Sequence, residues 1–153
     1  MKEKVILDTN LLLLLAVGVY KPDYIRLHKR TDTFSADDFE VLLLRLQDSD
    51  IAVTPNIATE ASNLLWQTKD PHKREIRQVL CELVSNFAEH YVKSRDIVVV
   101  NEYKTLGLTD CGILELVQGS GTILTVDLDL YLAAQQRGIP VENFNHSYRM
   151  SGR

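Results

Sequence analysis

The chain has 153 residues, 45% of them hydrophobic and 25% charged, which fits one folded domain and excludes a disordered chain or a modular assembly. Its net charge of −4 argues against the basic coat of a general nucleic-acid-binding protein, although acidic side chains that hold metal ions remain compatible with nucleic-acid chemistry. Two cysteines are too few for a disulfide framework, so we expect a reducing, cytoplasmic location.

The first predicted elements are a buried strand and a buried helix. Lys4–Leu7 is an apolar run that ends at three polar residues, which predicts a strand. The apolar run Leu11–Val17 predicts a helix that is buried on all sides. It is shorter than the roughly 20 residues that cross a bilayer and no cleavage site follows it, so we expect neither a membrane association nor export. The long polar stretch Gly18–Ser35 predicts a functional or loosely ordered loop.

The middle of the chain carries clear helix-start signals. Ser35 predicts the N-cap of a helix that runs to about Gln47. A short strand, Ile51–Val53, is followed by Thr54-Pro55, a good N-cap with proline at the first helical position, which predicts a helix to about Trp66. Lys73–Tyr91 then predicts a longer amphipathic helix.

The remaining elements complete an alternation of strands and helices. Ile97–Val100 is either a strand or the start of a helix that ends near Leu106. After it we predict a helix from Thr109 to Gln118, a strand at Thr122–Thr125, a helix at Leu130–Arg137 and an edge strand at Pro140–Phe144. This order predicts an α/β fold, a three-layer α/β/α single domain over residues 1–145 with a central parallel sheet of four to five strands. Residues 146–153 are predicted to form a C-terminal tail.

Four acidic residues fall where strands end or on the helices that follow. Asp8 follows the first strand and Asp127 the third, and the carboxyl ends of parallel strands share one sheet edge. Glu60 borders the apolar stripe of its helix, and Asp110 falls within the apolar face of its own. Two carboxylates about 4 Å apart repel by roughly 4 kcal/mol, so a stable domain gathers four only if cations neutralise them. Oxygen ligands favour Mg²⁺ or Mn²⁺, which suit phosphoryl chemistry.

Each acidic site also has a purely structural alternative. Asp8 could cap the first helix, and Thr109 or Asp110 could cap the start of the helix that is predicted to end at Gln118. Asp129 is more typical of the cap of the last long helix than of a ligand. Glu60 alone is typical of a solvent-facing helix residue.

Four segments of the chain resemble the motifs of PIN domains, in the family's order. They are Val5–Asn10, Thr54–Glu60, Leu106–Asp110 and Leu124–Asp129, and the resemblance spans Lys4 to about Asn145. It implies a PIN-like fold and metal-dependent endoribonuclease activity on single-stranded or structured RNA, leaving a 5′-phosphate and a 3′-hydroxyl. Many small bacterial members are toxins of toxin–antitoxin pairs, so the resemblance also implies an antitoxin or other regulatory partner protein and a homodimer.

The resemblance also implies roles for individual residues. The catalytic and metal-binding acids, with Mg²⁺ or Mn²⁺ as cofactor, would be Asp8, Glu60, Asp110 and Asp127. Supporting polar residues would be Thr9, Asn10, Thr125 and Asp129. Either Asp127 or Asp129 could be the direct ligand, and we favour Asp127. On this hypothesis Asp8→Asn abolishes cleavage and leaves the fold intact.

RNA phosphates need cations, and short basic runs provide candidates. The predicted nucleic-acid-binding residues are Lys29, Arg30, Lys73 and Arg74, with Lys93 and Arg95 as a further pair. Tyr24 and Trp66 could stack bases. The alternative is that such runs are solvated surface and that the tryptophan belongs to the core or an interface.

Two other functional classes are compatible with parts of the sequence. One is a non-catalytic PIN-like module for protein–protein contact, which metal binding would distinguish from an enzyme. The other is a phosphotransfer domain, since receivers and haloacid-dehalogenase-like phosphatases also place an aspartate after the first strand. Such phosphatases have Asp-x-Asp where this chain has Asp8-Thr9-Asn10, and acids stand where a lysine is expected after Thr122–Thr125. No glycine-rich phosphate loop supports nucleotide binding.

Overall fold

A computed structural model of the chain, which describes residues 2–148, is built around a parallel sheet. Its strands are β1 (Glu3–Leu7), β2 (Ser49–Val53), β3 (Ala88–Glu89), β4 (Thr122–Thr125) and β5 (Val141–Asn143). They lie in the order β3-β2-β1-β4-β5, and every neighbouring pair is parallel. The predicted three-layer α/β/α domain with four to five parallel strands is confirmed.

Helices connect the strands. They are α1 (Thr9–Tyr20), α2 (Ala36–Leu46), α3 (Pro55–Gln67), α4 (Lys73–Asn86), α5 (Ser94–Ile97), α6 (Tyr103–Leu106), α7 (Leu108–Leu116), α8 (Leu128–Gln136) and α9 (Phe144–Ser147). As predicted, α1 is buried on all sides, with every residue from 11 to 18 in the core. Within residues 2–148, no helix has both the length and the apolar character needed to cross a membrane.

The predicted helix starts at Ser35 and Thr54 are confirmed in atomic detail. Ser35 accepts a hydrogen bond from the backbone N–H of Asp38, whose carboxylate accepts from the Ser35 N–H in return, which completes a capping box. Thr54 Oγ1 accepts from the Ile57 N–H at 3.1 Å, and Pro55 takes the first helical position.

Three segments differ from the predictions. The helix predicted over Lys73–Tyr91 ends at Asn86, because the chain then turns to pair β3 with β2. The Ile97–Val100 run is no strand: α5 ends at Ile97 and the next residues form turns. The stretch Gly18–Ser35 is partly helical and well packed, since α1 continues to Tyr20. Within its later part, every third residue is buried, namely Ile25, His28, Thr31 and Phe34.

The C-terminal end also differs. The last strand stops at Asn143, whose side chain caps α9, so the predicted tail begins inside that helix. Residues 149–153 of the predicted tail lie outside the described residues.

The strand order determines where a site can form. Leu7 of β1 lies beside Leu124 of β4, and the N–H of the next residue, Asp8, donates to the Leu124 carbonyl at 3.2 Å. β2, next in sequence after β1, pairs with its other edge. The connections from β1 therefore lead to opposite sides of the sheet, with β2 and β3 on one side and β4 and β5 on the other. The boundary between β1 and β4 is a topological switch point, and ligands of open parallel sheets bind beyond the strand ends at such a point.

Candidate functional site

The Asp8 carboxylate forms hydrogen bonds to both segments that follow the strands at the switch point, the start of α1 after β1 and the residues at the end of β4. Asp8 follows β1 and is only 4% exposed. Its Oδ1 accepts the Leu11 N–H at 2.9 Å, which caps α1, and its Oδ2 accepts the Val126 N–H at 2.9 Å and the Thr125 hydroxyl. The alternative that Asp8 is a helix cap is thus confirmed. Burial raises the pKa of Asp8, the three hydrogen bonds offset part of the rise, and the Asp127 carboxylate adds to it.

Asp127 is the N-cap of α8. Its Oδ1 accepts the Leu130 N–H at 3.1 Å, and its own N–H donates to Thr125 Oγ1 at 2.9 Å. The prediction that Asp129 caps this helix is wrong, because the helix begins at Leu128, two residues earlier than predicted. Asp129 instead lies exposed in the first turn.

Asp110 lies in the first turn of α7. The N-cap of that helix is Gly107, which makes no side-chain hydrogen bond, so the alternatives that Thr109 or Asp110 caps it are wrong. Burial and the charges of neighbouring carboxylates raise the pKa of Asp110 to about 7. In decreasing order of effect, those carboxylates belong to Asp127, Asp8, Glu60 and Asp129. Every acid singled out in the sequence therefore lies within electrostatic range of Asp110.

Glu60 reaches this group from α3. Its side chain is exposed, as the structural alternative expected. The Thr109 hydroxyl nevertheless donates to Glu60 Oε2 at 3.2 Å, which links the first turn of α7 to α3. We refer to Asp8, Glu60, Asp110 and Asp127 as the acid cluster. Of the supporting residues named with it, Thr9 is buried and Asn10 is exposed.

The acid cluster is not a formed coordination shell. Within residues 2–148, no three histidine, cysteine, aspartate or glutamate side chains stand close enough together to hold one metal ion. The structure thus brings the four acids into one electrostatic environment, and their role as metal ligands stays a prediction.

The predicted basic residues lie in two different environments. Lys29 is exposed, but Arg30 is half-buried and its Nε makes no hydrogen bond with the described residues. Lys73 Nζ lies 4.2 Å from the ring centroid of Trp66, and the Arg77 guanidinium lies 4.5 Å from it. Trp66, Arg77 and the exposed Arg74 line a groove of about 540 Å³ between α3 and α4, which we call the Trp66 groove.

The two aromatic residues proposed to stack bases also differ. The Tyr24 hydroxyl donates to Asp70 at 2.6 Å, and its ring packs edge-on against His72. Trp66 is 47% exposed, although cations already lie over its ring. Neither contact tests RNA binding, which stays a prediction.

A second cleft, which the sequence analysis missed, adjoins the acid cluster. This cleft, which we call the Tyr91 cleft, encloses about 450 Å³. Its lining includes Glu60 of the acid cluster and Thr109, which donates to Glu60. Asn56 and Asn63 line it from α3, and Tyr91 lines it from the segment after β3. The cleft could not be predicted while the helix starting at Lys73 was expected to continue to Tyr91, because Tyr91 would then lie on that helix rather than beside α3.

Comparison with known proteins bears on the fold. No protein-family model matches the chain, and no curated protein matches its sequence. The fold is similar to that of the crystal structure of PAE2754 from Pyrobaculum aerophilum, with a TM-score of 0.57 and 16% identity over 86% of this chain and 85% of that one. It is also similar to a domain of a functionally unknown protein from Methanocaldococcus jannaschii, with a TM-score of 0.50 and 18% identity over 92% and 89% of the two chains. At these identities the likeness shows a shared fold.

Proposed function

We propose that the chain is a metal-dependent endoribonuclease that hydrolyses RNA phosphodiester bonds with the acid cluster. The observation that carries the proposal is the environment of Asp110, where burial and four nearby carboxylates raise the pKa to about 7. Structural ion pairing does not account for this arrangement, since the neighbours that shift the pKa most are all negative. The resemblance of the four surrounding motifs to those of PIN domains supports the same activity.

The residues match a hard divalent cation in donor type and charge. Within residues 2–148 no three of these side chains stand close enough together to hold one ion, so binding would require them to move closer. All four members supply carboxylate oxygens, which Mg²⁺ and Mn²⁺ prefer. Asp8 and Asp127 lie beyond the carboxyl ends of β1 and β4, where parallel sheets bind ligands, and Glu60 and Asp110 approach from α3 and α7. Asp8, Glu60, Asp110 and Asp127 would hold the cation, with Asp129 as the alternative to Asp127. When bound, such a cation polarises a phosphoryl oxygen and lowers the pKa of water.

The chain itself contributes orientation and charge. Three hydrogen bonds hold the Asp8 carboxylate in one orientation, and the Thr125 hydroxyl connects it to the Asp127 backbone. The Thr109 hydroxyl orients Glu60. Burial and neighbouring carboxylates raise the pKa of both Asp8 and Asp110, and a pKa of about 7 leaves Asp110 only partly ionised at neutral pH until a cation offsets its neighbours.

The partners follow from the same resemblance. RNA is the proposed substrate, with Lys29, Arg30, Lys73 and Arg74 as proposed phosphate contacts. The proposal extends to a cytoplasmic toxin of a toxin–antitoxin pair, whose partners would be an antitoxin protein and a second copy of the chain.

The proposal is tested by incubating the protein with single-stranded RNA in Mn²⁺, in Mg²⁺ and in chelator. We expect cleavage only with the cations, with 5′-phosphate and 3′-hydroxyl ends, and its loss in Asp110→Asn and Glu60→Gln. Asp110 is the better target than Asp8, whose carboxylate also supports the fold. Asp50→Asn, an exposed aspartate on β2, is the matched control and should retain activity.

Two outcomes would reject the proposal. One is no cleavage of any RNA with either cation. The other is cleavage that persists in chelator or in Asp110→Asn, which would point to a contaminating nuclease or to another site.

The Trp66 groove favours a second candidate, a protein-interaction module. Exposed tryptophan and arginine are enriched at the centres of protein interfaces, and Trp66, Arg74 and Arg77 line this groove together. Isothermal titration with Mn²⁺ separates the candidates, because a module that only binds proteins has no need of cation affinity. Failure to bind Mn²⁺ at millimolar concentration would favour the module.

A further inference from the structure

The cleft that adjoins the acid cluster has a lining that selects by charge. It is formed mainly by uncharged hydrogen-bonding groups: the Asn56 and Asn63 amides and the hydroxyls of Ser94 and Thr109. Within residues 2–148, Glu60 is its one charged lining residue, and neither lysine nor arginine contributes. A phosphate would meet no cation there and one carboxylate, so the cleft suits a neutral group that carries donors and acceptors.

Tyr91 gives the cleft an aromatic wall. It is 69% exposed, which is unusual for a large aromatic side chain that lines a cleft. Its position depends on the sheet, because β3 pairs with β2 and the adjacent His90 N–H donates to the Val53 carbonyl at 2.9 Å. The aromatic wall is therefore attached to the backbone of the sheet directly before α3, which carries the two asparagines and Glu60.

Cationic side chains stand next to the cleft lining in sequence but are not part of it. Lys93 and Arg95 flank the cleft-lining Ser94 in sequence, and both side chains are exposed. An unpaired nucleotide has charge and polarity that match this arrangement. Its flat, neutral base offers hydrogen-bonding edges to the cleft, and its charged phosphate lies beside the base, where a lysine or arginine can contact it. The volume of about 450 Å³ lies in the range of small-ligand pockets.

We propose that this cleft binds one unpaired RNA base, stacked on Tyr91 and facing the Asn56 and Asn63 amides, next to the acid cluster. The inference rests on the proposed function and adds a position for the nucleotide beside the bond that is cut. It makes Tyr91 a substrate-binding residue, and it requires the nucleotide to be unpaired, because a base within a duplex has both faces covered.

The test uses a single-stranded RNA octamer with 2-aminopurine at one position at a time, because the fluorescence of this base falls when it stacks on an aromatic ring. It is bound in Mn²⁺ to the Asp110→Asn variant, which on the proposed function binds without cleaving. When position 91 is tyrosine or is changed by Tyr91→Phe, we expect the 2-aminopurine fluorescence to be quenched at one position of the octamer. In Tyr91→Ala we expect no quenching at that position and affinity lower by about 5- to 150-fold.

Two controls separate stacking from other effects. Leu44→Ala removes an exposed apolar side chain on α2, outside the cleft, and should leave affinity and quenching unchanged. Annealing the octamer to its complement should abolish the position-specific quenching. Equal affinity and quenching in Tyr91→Ala would overturn the inference, as would quenching by the duplex.

The two proposals fail in different ways. If the unmodified chain cleaves RNA in Mn²⁺ and Tyr91→Ala cleaves it with the same KM, the acid cluster is a nuclease site and the Tyr91 cleft is not its base subsite. If the unmodified chain cleaves no RNA, the nuclease proposal fails whatever the fluorescence shows.

Discussion

Replacing Asp110 by asparagine is expected to stabilise the metal-free protein above neutral pH and to change its stability little in mild acid. In the folded chain, burial and four neighbouring carboxylates raise the pKa of Asp110 to about 7. In an unfolded chain the pKa of an aspartate is about 4. Between these values the folded protein keeps a proton that the unfolded chain gives up, so the free energy of unfolding falls as pH rises through this window. Above about pH 7 Asp110 is ionised in both states, and the free energy of unfolding is lowered by the full amount that its raised pKa represents.

The size of the effect follows from the two pKa values. Their difference corresponds to about 4 kcal/mol for a fully buried carboxyl group. Because the Asp110 side chain is only partly buried, solvent screening lowers the figure to about 1–2 kcal/mol. For a chain of 153 residues, Asp110→Asn should then raise Tm by about 2–8 °C at about pH 8.

The assay is thermal unfolding followed by circular dichroism in chelator, at about pH 4.5 and at about pH 8. Asp50→Asn is the matched control and should unfold with the wild type at both pH values. Adding Mn²⁺ at about pH 8 should give the wild type the higher Tm of the two proteins, because a bound cation stabilises the wild type more than the variant. If Asp110→Asn unfolds at a lower temperature than the wild type in chelator at about pH 8, the Asp110 carboxylate stabilises the fold and the reasoning is refuted.

Three further substitutions test a buried hydrogen bond, a close helix contact and a backbone conformation by urea denaturation. Thr125→Val removes a buried hydroxyl that donates to Asp8 and accepts a backbone N–H, so it should lower the free energy of unfolding by about 1–3 kcal/mol, whereas Thr125→Ser keeps the hydroxyl and should lose less. Gly18→Ala places a Cβ 2.2 Å from the Phe39 ring and should cost about 1–3 kcal/mol, part of which Phe39→Leu restores; no loss would show that the ring moves aside freely. Gly107→Ala should cost about 1–3 kcal/mol, because φ of +87° with ψ of −179° is a conformation reserved for glycine, and unchanged stability would contradict this.

Elements whose signals are local could be predicted. The strand at Thr122–Thr125 is observed with its predicted bounds, because its apolar residues follow a left-handed glycine at Gly121 and end before the cap of α8. The N-caps Ser35 and Thr54 were also predictable, since each side chain bonds to an N–H only three residues away.

Elements that depend on distant contacts could not be predicted in the same way. β3 has two residues and exists because it pairs with Ala52 and Val53 of β2, which no local pattern records. The Ile97–Val100 run has the β-branched composition of a strand, yet only Ile97 is buried while Val98 and Val99 are exposed. Its neighbours on the fold, rather than its propensity, decide its conformation.

The candidate site shows the same division. That Asp8 and Asp127 share one end of the sheet could be predicted, because parallel strands bring their carboxyl ends to one edge. That Asp127 rather than Asp129 caps α8 could not, since either residue is a good cap and the choice depends on where the helix begins. The Tyr91 cleft could not be predicted without knowing that α4 ends at Asn86.

The arrangement of charge around the switch point bears on the choice between the two proposed functions. A protein-interaction module gains nothing from carboxylates that repel one another around the partly buried Asp110, and replacing them would stabilise such a module without loss of function. An RNA strand, by contrast, brings phosphates that approach carboxylates through a cation, and bases that fit a cleft lined mainly by uncharged hydrogen-bonding groups. The acid cluster and the Tyr91 cleft provide these two environments side by side, because Glu60 belongs to both and the cleft-lining Thr109 donates to it. The proposed nuclease function would therefore account for both features with one occupant, whereas the proposed interaction module would leave the repulsion at Asp110 without a role.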